Sequence, residues 1–508
     1  MNSYNTENQR ILKNTIYLYV RTIVVLLVSL ITARVLLNTL GVYDYGIYNV
    51  VGSVVILFVF LNNAMSQASQ RFITFELGKS EQQRISDVFS MCINSQVVLM
   101  LIILFLTETL GLWLLNYKLN IPADRQFAAN VVYQVSIGTF CINVIRVPFE
   151  STIVAHEHMS YFAYMSLFDS FFKLVIVYIV KYSAGDKLIE YSILLFVVTA
   201  LIALAEITYV YIKFKRFRYH VFWDKDLFKN LVSFTGWSLC GGASDVVTQK
   251  GLIFLLNIYY GVLTNAAIGI ANQVSGALRT FINSFQTSFR PQVIKSYANN
   301  DINRFNDLAM ETSKFSYVLV LLPIVVLLVN MKLLLSVWLG NVPEYATEFC
   351  SIFVLCAAFD AISGPFYCAV LASDSIKKYQ ISISVVFIID LFVTFALIKF
   401  GISPKYFLYS RLATRGVMNF LIGIYFSNRM FNFPIVQYCR KVILPSVLGT
   451  LVIAVGAIII LYMSCGWNRL IISIVYSAIV GISVIYFIIL DSRERAFVNS
   501  LINKIVSK

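Results

Sequence analysis

The chain has 508 residues, of which 59% are apolar, 15% aromatic and only 13% charged, about half the charged share of an ordinary globular domain. The net charge of +14, from 40 Lys and Arg against 26 Asp and Glu, would suggest nucleic acid in a soluble protein. Here the cations fall in short stretches between long apolar runs, so the expected partners are membrane lipids and no nucleic acid. Apolar runs of about 20 residues, the length that crosses a hydrocarbon core of about 30 Å, recur from residue 15 almost to residue 490. This excludes a soluble enzyme, and the runs lack the short alternating segments of a β-barrel.

In chain order, the polar start MNSYNTENQRILKN leads directly into a full-length span without a small-residue cleavage site, so no cleavable signal peptide is expected. Spans are predicted near 15–37, 47–67, 88–113, 126–147, 160–181, 188–212, 231–257, 265–289, 314–339, 346–371, 379–400, 405–427, 442–464 and 469–490. The second, seventh, eighth and tenth are diluted by Asn, Gln, Ser and Gly, and a strict hydropathy window should undercall them. With the N-terminus inside, the inner segments hold 25 Lys and Arg and the outer ones 8. The positive-inside rule therefore puts both termini in the cytoplasm. The strongest contribution is KFKRFRYHVFWDKDLFK at 213–229, read as an orienting loop facing lipid headgroups.

A faint internal repeat runs through the chain. Leu36-Leu37-Asn38 returns as Leu255-Leu256-Asn257, and Gln67 and Arg71 return as Gln286 and Arg290, both at an offset of 219. Arg84 and Asp87 return as Arg304 and Asp307, while Gly46-Ile47 and Asn49 answer Gly269-Ile270 and Asn272 with a slip of about four residues. The offset covers six spans, an even number, so both copies enter the membrane in the same direction, as a parallel repeat. The expected fold is thus all-α and integral to the membrane, with about 14 transmembrane helices. An N-terminal six-helix lobe at 1–218 and a second at 219–430 surround a central cleft. Two extra transmembrane helices at 431–490 and a cytoplasmic tail at 491–508 follow.

Polar groups inside spans are costly and so informative. Arg21, Arg34, Lys173, Lys250, Arg279, Arg411 and Arg415 all fall within predicted spans. Arg21, Lys173, Arg411 and Arg415 are close enough to span ends to snorkel. Arg34 and Arg279 are accompanied by polar neighbours. In the second span Asn49, Ser53, Asn63, Gln67 and Gln70 share one helical face, and in the eighth Asn265, Asn272, Arg279 and Gln286 recur every seven residues, with Asn283 one turn past Arg279. Such faces serve either as hydrogen-bonded helix interfaces or as walls of a polar cleft. Their equivalent places in the two copies favour the cleft. Among the acids Glu108, Asp169, Glu206, Asp245, Asp360 and Asp390, the candidate ion-binding residues are Asp245 and Asp360.

Several motifs fail on inspection. Gly78-Lys79-Ser80 resembles the end of a phosphate loop, but position 73 is Ile where Gly is required. His156-Glu157-His158 has the wrong spacing for a zinc protease, and the only other histidine is His220. Eight dispersed cysteines without a C-x-x-C pair suggest neither a disulfide framework nor a metal site. No catalytic residues and no cofactor are therefore expected, and any energy source must be an ion gradient, with proton or sodium as the candidate ion, a partner, or the substrate's own gradient.

Arg34-Val-Leu-Leu-Asn-Thr-Leu-Gly41 followed by Asp44-Tyr45-Gly46-Ile47-Tyr48 resembles the first-helix and loop pattern of polysaccharide-export flippases, in the superfamily that also holds multidrug and toxin extruders and lipid II flippases. The resemblance implies two six-helix lobes and translocation of undecaprenyl-diphosphate-linked oligosaccharide across a bacterial inner membrane for O-antigen, capsule or exopolysaccharide assembly, in association with polysaccharide polymerase machinery. It carries over Arg34 as a cavity cation. On chemical grounds the diphosphate needs cations and the sugar needs amides and hydroxyls. The candidate substrate-binding set is accordingly Arg34, Asn49, Asn63, Gln67, Lys250, Asn272, Arg279, Asn283, Gln286 and Arg290. A cation-coupled multidrug exporter would favour an acidic or aromatic cleft, and a membrane polymerase or glycosyltransferase would need a larger outer loop than the one near 330–346.

Overall fold

The computed structural model describes residues 2–56, 59–79, 82–117, 123–340, 342–373, 376–492, 494–496 and 499. Among them the regular elements are all helical, as a bilayer demands of a chain that must satisfy its backbone within each segment. Eleven helices are long and apolar enough to cross a membrane: Lys13–Gly41, Arg84–Tyr117, Gln126–Ala155, Met159–Lys181, Lys187–Lys213, Lys225–Tyr260, Ile302–Leu339, Ala346–Ala372, Ile376–Lys399, Ile435–Met463 and Gly466–Ile489. They coincide with eleven of the predicted spans. The eighth and twelfth predicted spans are helical but too polar to be counted with the others, and the second is helical at its described residues but includes residues 57–58, which lie outside the described residues. The eighth is diluted as expected. The seventh and tenth are apolar enough after all, whereas the twelfth drops out because it carries Lys405, Arg411 and Arg415.

The first helical run, Asn2–Ile56, is broken at Gly41, whose φ of 77° and ψ of 165° lie outside the helical region. Only glycine takes that conformation without steric cost. The break falls between the first and second predicted spans. At the other extreme, Lys225–Ala298 is one continuous helix of 74 residues spanning the seventh and eighth.

The chain forms two compact units, one of Ile11–Leu239 and one of Cys240–Lys508 with Met1–Arg10. In the first, the helix Gln126–Ala155 is the hub, packing on Val59–Lys79, Gln82–Leu106 and Lys187–Lys213. Val132, Tyr133, Ile137, Val144, Val177 and Leu188 fill that core. The Tyr133 hydroxyl donates 2.8 Å to the carbonyl of Thr107, which opens the π-helical turn Thr107–Gly111. In the second unit the hub is Ala346–Ala372, packed on Ile302–Leu339 and Asn419–Phe431. Each hub is the fourth helix of its copy and meets the third and sixth, so the two units repeat one packing order. Small residues let the second hub approach its neighbours closely: Ala346, Ala357, Ala361 and Ala369 are all buried.

The last two helices pack on Ile302–Leu339 through Leu321, Val325, Ile453, Ala457, Val484 and Ile489. Asn330 donates 2.7 Å to Ser473 Oγ, and the buried Lys314 ammonium reaches Glu494 at 2.8 Å. Their outer faces expose Leu451, Val455, Ile458, Ile471, Val475 and Ile482, the side chains a helix presents to lipid.

The basic segment before Lys225 is fastened to the first unit. Phe217 is buried against Phe89 and His156, and His156 stacks on Phe214 with ring centroids 4.0 Å apart. His220 Nε2 lies 2.9 Å from Asp87 Oδ1, and its Nδ1 lies 3.1 Å from Ser90 Oγ. Asn94 donates 2.7 Å to the carbonyl of Phe222. His158 meets the Tyr209 hydroxyl at 2.8 Å. All three histidines of the chain thus belong to this docking patch, while Lys213, Lys215, Arg216 and Arg218 remain exposed.

Candidate functional site

In the second unit, four helices bring three arginines and three aspartates together at the level of the predicted eighth, tenth, eleventh and twelfth spans, with Asp245 supplied by the seventh. Asp390, on Ile376–Lys399, is the innermost carboxylate. It accepts 2.6 Å from Thr414 Oγ1 and lies 3.3 Å from Arg415 Nε and 3.5 Å from Arg411 Nε. Thr414 and Arg415 sit in the π-helical turn Leu412–Met418, a rare geometry that shifts side chains out of ordinary helical register and recurs at functional sites. Arg415 Nη1 reaches Asp245 Oδ1 at 2.5 Å, and Gln249 Nε2 donates 2.9 Å to the other oxygen of Asp245. Arg279 Nε pairs with Asp360 Oδ2 at 3.0 Å. Arg415 also lies over the Phe387 ring at 4.4 Å and Arg411 over Phe353 at 5.3 Å. The guanidinium and carboxylate charges balance, as a low-dielectric setting requires.

These contacts sort the predicted residues. The side chain of Arg279 is 36% exposed and that of Asp360 32%. On the same helix Gln273, Thr280 and Asn283 are exposed and Asn272 is half-buried, so the eighth-span helix carries an open polar face around its arginine. Gln286 is buried, its Nε2 3.5 Å from the carbonyl of Ala361 and its amide against Gly364. It is a helix-interface residue. Arg290, one turn further, is half-buried. Lys250 is exposed beside Val246 and Val247, on a different face from Asp245 and Gln249. Both candidate ion-binding residues, Asp245 and Asp360, are engaged by arginines.

In the first unit, Arg34 is exposed on the helical stripe of Leu27 and Ile31. Asn63 is exposed, Gln67 half-buried and Gln70 buried, while the side chain of Asn49 lies outside the described residues. Arg71, the repeat partner of Arg290, is buried with its guanidinium 4.6 Å from the Phe72 ring and 5.4 Å from that of Phe234. A second ionic group joins Arg146 to the buried Glu206 at 3.2 Å and to Glu150 at 3.8 Å. Lys173 pairs with Asp169 at 2.7 Å, and Arg21 lies over Phe162 at 4.7 Å.

Sequence reasoning missed the pairing of Arg411 and Arg415 with Asp390. It took both arginines as able to snorkel, yet their side chains are only 6% and 9% exposed. Their i, i+4 spacing on one face was the available signal. Arg146 escaped because it lies at the end of a predicted span. The motif residue Asp44 was also unassigned. It binds Arg125 through Oδ1 at 2.9 Å and Oδ2 at 2.5 Å, and Arg125 also holds Asp186 at 2.6 Å. Asp186 in turn caps Lys187–Lys213, accepting from the backbone N–H of Leu188 and Ile189. Burial alone would push the Asp186 carboxyl up, but the bonds from Arg125, Ile189 and Leu188 and the charge of Arg125 together hold it below the usual carboxylate range.

No curated protein matches the chain. Among solved structures, a MATE protein in the bent conformation aligns with a TM-score of 0.70 at 11% identity, covering 85% of this chain and 97% of that one. A MOP superfamily transporter from Pyrococcus furiosus, described as having a binding pocket of reversed polarity and a suggested different function, aligns at 0.67 with 12% identity over 83% and 96%. At such identity the likeness is one of fold, and it covers almost the whole of each neighbour. The family of polysaccharide biosynthesis proteins matches residues 11–297, more than half of the sequence, the whole of the first unit and the start of the second. With the helices, the neighbours' fold and that match in agreement, this multi-pass membrane protein belongs to the polysaccharide biosynthesis protein family.

Proposed function

We propose that this protein is a flippase, moving an undecaprenyl-diphosphate-linked oligosaccharide from the cytoplasmic to the outer leaflet of a bacterial inner membrane by alternating access. The product would feed O-antigen, capsule or exopolysaccharide assembly beside polymerase machinery, and no residue is assigned a catalytic role. The observation that carries this reading is the open polar face of the eighth-span helix. Arg279 sits there, about one third exposed, among Asn272, Gln273, Thr280 and Asn283. A guanidinium suits a diphosphate, and amides and hydroxyls suit a sugar. Arg34 on the first helix is the second proposed phosphate contact, with Asn63 and Gln67 as further sugar contacts.

Replacing Arg279 by Ala removes a charge-assisted contact of about 1.5–3 kcal/mol, so polymer export should fall roughly ten- to a hundredfold at unchanged protein abundance. Normal export by that variant would overturn the site assignment. Deletion of the protein should leave lipid-linked oligosaccharide facing the cytoplasm. Loss of its synthesis instead would point to a transferase.

A further inference from the structure

The three aspartates of the second unit are not alike. Asp390 is sealed, its side chain 2% exposed, held between Arg411 and Arg415 and bonded to Thr414. Asp360 and Asp245 sit at the rim, 32% and 35% exposed, each on one arginine. Arg415 itself is only 9% exposed, and Asp245, bound to its Nη1, is the accessible member of the pair at 35%. Arg415 Nη2 is buried and has no hydrogen-bond partner. A guanidinium with one sealed carboxylate, one exposed carboxylate and a spare N–H is arranged to exchange the exposed anion and keep the buried one.

From this geometry we propose that Asp360 and Asp245 are placeholder anions: they occupy Arg279 and Arg415 when no substrate is bound, and the diphosphate of the substrate displaces them. Both the carboxylate and the phosphate present paired oxygens to a guanidinium fork, so one can take the other's place with little change in the arginine. The exchange also avoids leaving a guanidinium unpaired within the bundle once the substrate departs, an unfavourable state. The carboxylates therefore drive release as much as they limit binding. Asp390 has the opposite role, fixing Arg411 and Arg415 in place throughout.

This inference rests on the proposed reading of Arg279 as a diphosphate contact, and the experiment separates the two. Purified protein in lipid nanodiscs is titrated with farnesyl diphosphate, a soluble polyprenyl diphosphate, and transport is followed in parallel by initial rates of export. Asp360→Asn and Asp245→Asn should each bind the probe roughly fivefold more tightly, since each frees an arginine from a partly exposed ion pair. Export should show a lower half-saturating substrate level together with a lower maximal rate. A structural role would lower abundance and maximal rate with no gain in affinity, and that outcome overturns the placeholder assignment. Asp390→Asn should bind no more tightly than the parent, and tighter binding there would equally overturn it. If Arg279→Ala binds the probe as the parent does, the diphosphate reading itself fails, whatever the aspartates do.

Discussion

Single residues in this chain divide into those that hold the fold and those that remain open to solutes, and Gly41, Asp44, Ile47 and Tyr48 of the sequence motif lie in the first group. Gly41 supplies a left-handed break that a Cβ would strain. Ile47 is buried, and Tyr48 meets Tyr191 edge-on at 5.3 Å. Asp44 is one jaw of a clamp on Arg125, with Asp186 as the other. Because the Asp186 carboxyl is held below its ordinary range, the stability it contributes is present above the unfolded carboxylate value and is lost as pH falls through the folded one. Thermal unfolding in detergent should therefore shift downward on acidification below about pH 4. Asp186→Asn should lower stability at neutral pH by about 1 kcal/mol through the weakened cap and clamp, and should flatten the acid slope. An unchanged slope in the variant would place the acid sensitivity elsewhere. None of this was legible in the sequence, because Asp44, Arg125 and Asp186 are separated by 81 and 61 residues, and a motif shows which residues recur together without showing what they touch.

At the scale of elements, helices were read correctly wherever apolar runs were long, and their ends erred where polar residues extend a helix beyond the apolar stretch. Ile302–Leu339 begins twelve residues before its predicted span because Asp301 caps it, accepting from the N–H of Arg304 at 3.0 Å. The basic connector is the other case. Composition marks 213–229 as an exposed orienting loop, and its lysines and arginines are exposed, but alternate aromatic and histidine side chains bind it to the helix Gln82–Leu106. Ser86 donates to the carbonyl of Arg218 at 3.0 Å, which leaves Ser90 as the hydroxyl that faces His220 Nδ1 and Asp87 as the acceptor at Nε2. His220→Ala and Asp87→Asn should each raise amide hydrogen exchange over residues 217–222 by about tenfold, the loss of roughly 1.4 kcal/mol of local protection, with exchange in Gln126–Ala155 unchanged. Exchange that rises uniformly through the unit would show that the patch supports the whole bundle and does not act as a local fastening.

For the whole molecule, charge placement predicts a definite topology: the connector and both termini in the cytoplasm, and the turn between the last two helices outside. Two native cysteines report on it. Cys439 lies in the first turns of the penultimate helix, Ile435–Met463, Cys465 follows its end, and both are exposed. In variants that keep only one of them, a membrane-impermeant maleimide added to cells with a permeabilised outer membrane should label Cys465 and spare Cys439. The reverse pattern would invert the orientation. What the sequence determined by itself is the membrane class, the helical architecture, the near positions of the spans and the faint duplication, because burial of some 20 apolar residues and the cost of a charge in hydrocarbon act on local composition. What only the tertiary structure decided is which charges are compensated. Arg279 with Asp360, Arg415 with Asp245 and Asp390, and Arg146 with Glu206 are each between 25 and 170 residues apart, and helix packing alone sets them within ion-pair distance. The sequence counts a cation as free until the fold supplies its partner, and for that reason the open polar face around Arg279 and the sealed core around Asp390 could be told apart only in three dimensions.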